Sequence, residues 1–159
     1  MTKKLVLIRH GEAGYPDKGG DFSRALTEMG IKQNSFIANK VLEKDCCPEI
    51  LISSNANRAL QTAQQFAKIW GIETNKIVEK SEIYEASPSE LLKLVNQMND
   101  QHNHAVIFGH NPGLSDLAEY FTGFNFQLNT SSALVLEFES SSWSEISKGT
   151  GKIILYLEP

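Results

Sequence analysis

Cysteine is scarce in this chain and badly placed for a covalent framework. Only Cys46 and Cys47 occur among 159 residues, side by side, and sequence neighbours rarely bridge, so no disulfide is expected to hold the fold. They also lack the Cys-x-x-Cys spacing of a redox pair or zinc site, which leaves them as small, partly buried side chains in a reducing compartment. No apolar run approaches the roughly 20 residues of a membrane span, and the run after Lys3 and Lys4 is too short for a signal peptide. A cytoplasmic protein with no membrane partner is the expectation. Positive charge is thin as well: 15 Lys and Arg against 19 Asp and Glu give a net charge of −4. With no basic cluster, a nucleic-acid partner is excluded, and any anion site must be built from individually placed arginines. Repeats, low-complexity tracts and compositional breaks are missing too, so residues 1–159 read as one domain, long enough to bury a core of its own.

What is present begins with Leu5-Val6-Leu7-Ile8, an apolar run that reads as a strand buried on both faces. It ends on Arg9, His10 and Gly11. A cation and an imidazole are poor packing groups at the carboxyl end of a buried strand, but they suit a phosphoryl group, and ligands of open α/β sheets bind beyond that end. The glycine lets the chain turn and a ligand approach the backbone. Residues 14–23 are turn formers and predict a loop at the same sheet edge, with Arg24 beside it either reaching substrate or solvated. A helix follows from Thr27 to Glu43, with Ile37, Val41 and Leu42 facing inward.

Glu49 to Ser54 reads as a second buried strand. In the helix after it, Ala59, Ala63, Phe66, Ala67 and Trp70 share one face and Gly71 supplies the stop. Arg58 lies in that helix's first turn, where the macrodipole disfavours a cation unless an anion sits between it and the free N–H groups. Ile77 to Glu79 is a short third strand. Ser87-Pro88-Ser89-Glu90 carries a capping box, opening a helix with Leu91, Leu94, Val95 and Met98 on its buried face. His104 to Gly109 repeats the opening pattern and delivers His110, followed by a helix with Leu114, Leu117, Ala118 and Phe121 inward. His102 and His104, at the other end of that strand, are assigned to the surface. Residues 131–139 and 152–157 are strand-like with no helix between them, and so predict an antiparallel pair.

Alternating strands and helices predict a three-layer α/β/α sandwich with Arg9, His10, Arg58 and His110 all at the carboxyl edge of the sheet. Guanidinium forks match phosphate oxygens. An imidazole with one ring nitrogen unprotonated and the other held is a competent phosphoryl nucleophile, and a second imidazole can donate to an oxygen as charge develops. His10 and His110 as metal ligands would lack the acidic or thiol companions such sites show, so no metal is expected.

Arg9-His10-Gly11-Glu12-Ala13, Ser53-x-x-x-x-Arg58-Ala59-x-x-Thr62 and Gly109-His110-Asn111-Pro112-Gly113 together resemble the three signatures of the histidine phosphatase, or phosphoglycerate-mutase-like, superfamily, in that family's order and across essentially the whole chain. The short first motif and the small size resemble the bacterial SixA type of phosphohistidine phosphatase. The resemblance implies a mixed, mostly parallel six-stranded sheet with one antiparallel strand. It also implies His10 as the phosphorylated nucleophile and Arg9, Arg58 and His110 as phosphate ligands, with no cofactor and a phosphorylated substrate, a phosphohistidine-bearing protein being the favoured partner. The family's proton donor follows the third strand, where Glu85 matches better than Glu82; Glu12 is a further candidate, and Arg24 a candidate substrate contact. Mutases carry a longer loop after the first motif than residues 14–23 provide. Neither that loop nor the segment between Ile83 and His104 is long enough for a lid domain, so an uncovered site is expected.

Overall fold

The computed structural model describes residues 1–159. Its six strands are β1 (Thr2–Arg9), β2 (Ile50–Ser53), β3 (Val78–Glu79), β4 (His104–Gly109), β5 (Ala133–Glu139) and β6 (Gly151–Leu157), and its α-helices are α1 (Glu28–Glu43), α2 (Asn57–Ile69), α3 (Pro88–Asn96) and α4 (Gly113–Thr122). The strands form one sheet in the order β3-β2-β4-β1-β5-β6. β4 pairs in parallel with both β1 and β2, and β2 with β3. β5 runs against both its neighbours, β1 and β6, and is the one antiparallel strand. The architecture is the mixed sandwich that the pattern and the resemblance implied.

Side chains alternate across the pleat, so β1 feeds two cores. Leu5 and Leu7 pack with Ile107 of β4 under Leu91 and Val95 of α3 and Leu114, Leu117 and Phe121 of α4. Val6 and Ile8 pack on the other face under Ile37 and Val41 of α1 and Ala63, Phe66 and Ala67 of α2. Phe66 is fully buried, edge-on to Trp70 and Phe108 at 5.3 and 5.4 Å, and truncating such a side chain to alanine costs about 3–5 kcal/mol. Helix ends follow local chemistry. Thr27 caps α1 by accepting the Gly30 N–H, the Ser87–Glu90 box closes reciprocally at α3, and Gly123 takes a left-handed φ of 78° to end α4.

Three expectations need correcting. Leu42 is 45% exposed, because α1 turns only its Ile37–Val41 stripe inward. Leu94 and Met98 pack against the core half-buried rather than fully buried within it. His104 is half-buried, and burial, with Lys4 beside it, lowers it to about 4. At that same edge Lys3 is fully buried, with its ammonium donating to the carbonyls of Asp100 and His102 and to Asn103 Oδ1 at 2.7–3.0 Å.

Candidate active site

β1 and β4 are neighbours in register, Arg9 beside Gly109, so the residues that follow them emerge side by side. The His10 and His110 rings lie 5.1 Å apart between centroids. His10 is buried, and its Nδ1 lies 2.7 Å from the Gly11 carbonyl. A carbonyl only accepts, so Nδ1 carries the proton and Nε2 keeps its lone pair. That lone pair receives the Arg58 Nε–H at 3.3 Å. Burial pushes the imidazole down to about 3, with His110, Arg58 and Arg9 adding to the shift against the opposing pull of the Gly11 carbonyl. His10 is therefore neutral at ordinary pH.

The Gly11 main chain is held in turn through its N–H by buried polar groups beneath it. The Gly11 N–H donates to Thr62 Oγ1, which also accepts from Asn34, and Ser131 Oγ donates to Asn34. A Cβ on residue 11 would meet the Asn34 amide at 2.8 Å, so glycine is required there by this packing.

His110 is tied by its other nitrogen. Nε2 lies 2.8 Å from Ser54 Oγ, which already accepts the Ala56 N–H. We assign the Ser54 proton to this bond, which satisfies the buried hydroxyl as both donor and acceptor and puts the imidazole proton on Nδ1. Nδ1 is buried without a protein partner. Burial, with Arg58 and Arg9 nearby and Asp21 opposing, holds His110 at about 4.

The two arginines differ in their pairing. Arg9 has Nη1 on the Leu128 carbonyl, a buried and unpartnered Nε, and no carboxylate partner; burial, then Arg58, lowers its pKa. Arg58 uses three of its five N–H donors, on His10 Nε2, the Asp21 carbonyl and Asp21 Oδ2. Two like charges and two neutral imidazoles, one offering a lone pair and one an N–H, converge at a helix N-terminus. That set matches the oxygens of a phosphoryl group.

Arg58 and His110 open onto a cavity of about 470 Å³, whose wall also includes Asp21, Tyr84, Glu85 and Glu90. Glu85 has no hydrogen-bond partner within the protein, and its φ of 57° turns the chain at the rim. Glu82 faces a separate hollow with Lys93 and Gln97. Glu12 accepts from Thr27 Oγ1 at the start of α1. Neither lines the cavity. Arg24 is occupied with Gly14, Ala13 and Asp21, and pins the loop. No group of three or more His, Cys, Asp or Glu side chains is placed to hold a metal ion.

The loop at 14–23 forms no lid domain, yet it does not leave the site uncovered as expected. Its 3₁₀ turn Asp21–Ser23 lays Asp21 on Arg58, and the Tyr84 hydroxyl donates to Asp21 Oδ2 at 2.6 Å. That bond, with the arginines, pulls Asp21 down to about 2. Asp21, Tyr84, Ser54 and Asn34 are the site's contributors that sequence reasoning missed. The two serines ending β2 were the available signal for Ser54; Asp21 sits in a loop without periodicity and gave none.

Similar proteins share this fold. The family model described as "Histidine phosphatase superfamily (branch 1)" matches residues 5–105. A protein from Agrobacterium tumefaciens assigned as phosphohistidine phosphatase SixA superposes with a TM-score of 0.84 at 26% identity, covering 99% of this chain and 98% of that one. The protein histidine phosphatase SixA complexed with tungstate superposes at 0.79 with 18% identity, over 98% and 96% of the two chains. The phosphoserine phosphatase of Entamoeba histolytica, in complex with 3-phosphoglyceric acid, shares the fold at 0.69 with 19% identity, over 99% and 98%. With a family model spanning most of β1 to β4 and the fold shared end to end, the chain belongs to the histidine phosphatase superfamily.

Proposed function

We propose that this protein is a metal-independent phosphatase, a single domain over residues 1–159, that works through a phosphohistidine on His10 and acts on protein phosphohistidine in the cytoplasm. The observation that carries the reading is the His10 tautomer: Nδ1–H is fixed on the Gly11 carbonyl, so Nε2 keeps its lone pair and turns it toward the cationic side of the site, where Arg58 Nε–H lies 3.3 Å away. In the first step Nε2 attacks phosphorus, forming an N–P bond as the bond from phosphorus to the leaving group breaks. Arg9, Arg58 and the Nδ1–H of His110 hold the phosphoryl oxygens, supplying the charge a metal would otherwise bring. Glu85 gives the leaving group its proton. Water then attacks phosphorus, passes a proton to Glu85, and inorganic phosphate leaves as the N–P bond breaks. An imidazole leaving group asks less of Glu85 than an alkoxide does. Arg24 acts on the loop and not on substrate.

Assays on a phosphohistidine-bearing phosphotransfer domain and on phenyl phosphate, each with chelator present, test this. Both are expected to be hydrolysed, with the phosphoprotein preferred by kcat/KM over sugar and glycerate phosphates. Glu85→Gln is expected to slow phenyl phosphate by about a hundredfold, the span of a general acid, and phosphohistidine far less. Activity lost in chelator and restored by a divalent ion contradicts the chemistry. A small metabolite with the higher kcat/KM contradicts the substrate assignment.

A further inference from the structure

Two of the arginines near the cavity are engaged with one residue, Asp21. Arg58 holds the Asp21 carbonyl and Oδ2, Arg24 holds Asp21 Oδ1, and the Tyr84 hydroxyl donates to Oδ2. Beyond Asp21 the cavity wall carries Glu85 and Glu90 and no lysine or arginine other than Arg58. Lys93 lies in the adjoining hollow, where Glu82 and Glu90 outnumber it. Glu90 accepts from Ser87 in the helix cap, and burial of Asp21 is slight, so its charge reaches the opening. His110, nine-tenths buried in the same wall with Nδ1 unpartnered, marks where the ligand's phosphoryl oxygen goes. The floor is cationic and the rim is anionic.

Resting on the phosphatase reading above, we infer that the rim is a charge filter: the site accepts one phosphoryl dianion and repels a second anion, so its substrates carry phosphate on a neutral or basic polypeptide segment and not on a carboxylate-bearing metabolite. A carboxylate in the body of the substrate would meet Asp21 and Glu90, with Arg58, the one cation of this wall, already engaged by Asp21. An ammonium or guanidinium beside the phosphorylated residue would meet the same carboxylates favourably. Like charges placed against each other in this way reject wrong partners as effectively as attractive contacts select right ones.

The test uses three aryl phosphates with closely matched leaving groups: phenyl phosphate and its para-aminoethyl and para-carboxymethyl derivatives. At low ionic strength the aminoethyl compound is expected to exceed the carboxymethyl compound in kcat/KM by about tenfold, the scale of one or two unit charges at partly exposed separations. In about 1 M salt, where the screening length falls to about 3 Å, the ratio is expected to shrink toward one. Glu90→Gln, which keeps the capping-box geometry, is expected to lower the ratio about threefold, and Asp21→Asn to lower it further. A wild-type ratio of one or less with phenyl phosphate still hydrolysed overturns the filter and leaves the phosphatase reading standing. A ratio that ignores salt and both substitutions overturns its assignment to these carboxylates. Failure to hydrolyse any of the three overturns the phosphatase reading itself.

Discussion

His10 and His110 leave neighbouring strands at the same level, yet they are tied by opposite nitrogens. His10 is fixed through Nδ1 to a main-chain carbonyl and offers Nε2 as an acceptor. His110 is fixed through Nε2 to a serine hydroxyl and offers Nδ1 as a donor. The same side chain, at equivalent ends of two paired strands, is set up as a nucleophile in one case and an oxyanion ligand in the other. The residue type does not decide which; the hydrogen bond at the far nitrogen does.

Three changes probe that difference. The largest effect is expected from His10→Ala, which removes the lone pair and should lower kcat by at least about a thousandfold, as loss of a nucleophile does. Its melting temperature should stay near that of the wild type, because the side chain ends a strand and is not part of either apolar core. His110→Ala should cost about a hundredfold, the usual loss of one oxyanion donor. Equal losses from the two, measured by steady-state kinetics, would remove the distinction.

A smaller effect is expected from Ser54→Ala, about tenfold in kcat, because His110 keeps its place but loses the bond that puts the proton on Nδ1. Nitrogen-15 NMR of the histidines reads this directly. The wild type should show Nδ1–H at both His10 and His110, and the variant should move His110 alone toward the Nε2–H form. Nε2–H at His110 in the wild type would contradict the assignment.

The smallest change concerns stability. His10 is held at about 3 and His110 and His104 at about 4, while an unfolded histidine titrates near 6.5. Between those values the unfolded chain binds more protons, so stability is full above about pH 6.5 and is lost as the pH falls toward 4, with a limit of about 1.4 kcal/mol per pH unit for each of His10 and His110. Asp21, held at about 2, acts only below this window. Melting temperature should fall from pH 7 to 4.5, and the fall should be shallower when His10 and His110 are both replaced by glutamine. A flat wild-type profile would show that these imidazoles are not buried neutral.

The sheet and its helices were legible in the sequence because they rest on periodicity and caps: the Leu5–Ile8 and Ala105–Phe108 runs, the Phe66 face and the Ser87–Glu90 box each announce themselves within a few residues. Arg9, His10, Arg58 and His110 were legible for a related reason, since a polar residue ending a buried strand or opening a helix is out of place as packing. Asp21 and Tyr84 were not, because their partnership joins residues 63 apart through a loop with no pattern. Glu85 was preferred over Glu82 on its match to the family pattern, and the structure adds the physical difference: both follow β3, but Glu85 lines the cavity and Glu82 the adjoining hollow. Lys3, fully buried yet saturated by three acceptors, shows why burial of charge alone does not mark a site. What separates it from Arg9 and His110 is the missing partner.

The covalent intermediate is the claim on which the rest depends, and trapping it is the most direct measurement. Wild-type protein would be mixed with a phosphorus-32-labelled substrate, quenched in alkali within the first turnover, and digested for peptide mapping. The expected result is label on the peptide containing His10, stable in alkali, released by acid and missing from His10→Ala. Turnover with no labelled protein, or label that persists in His10→Ala, would contradict it.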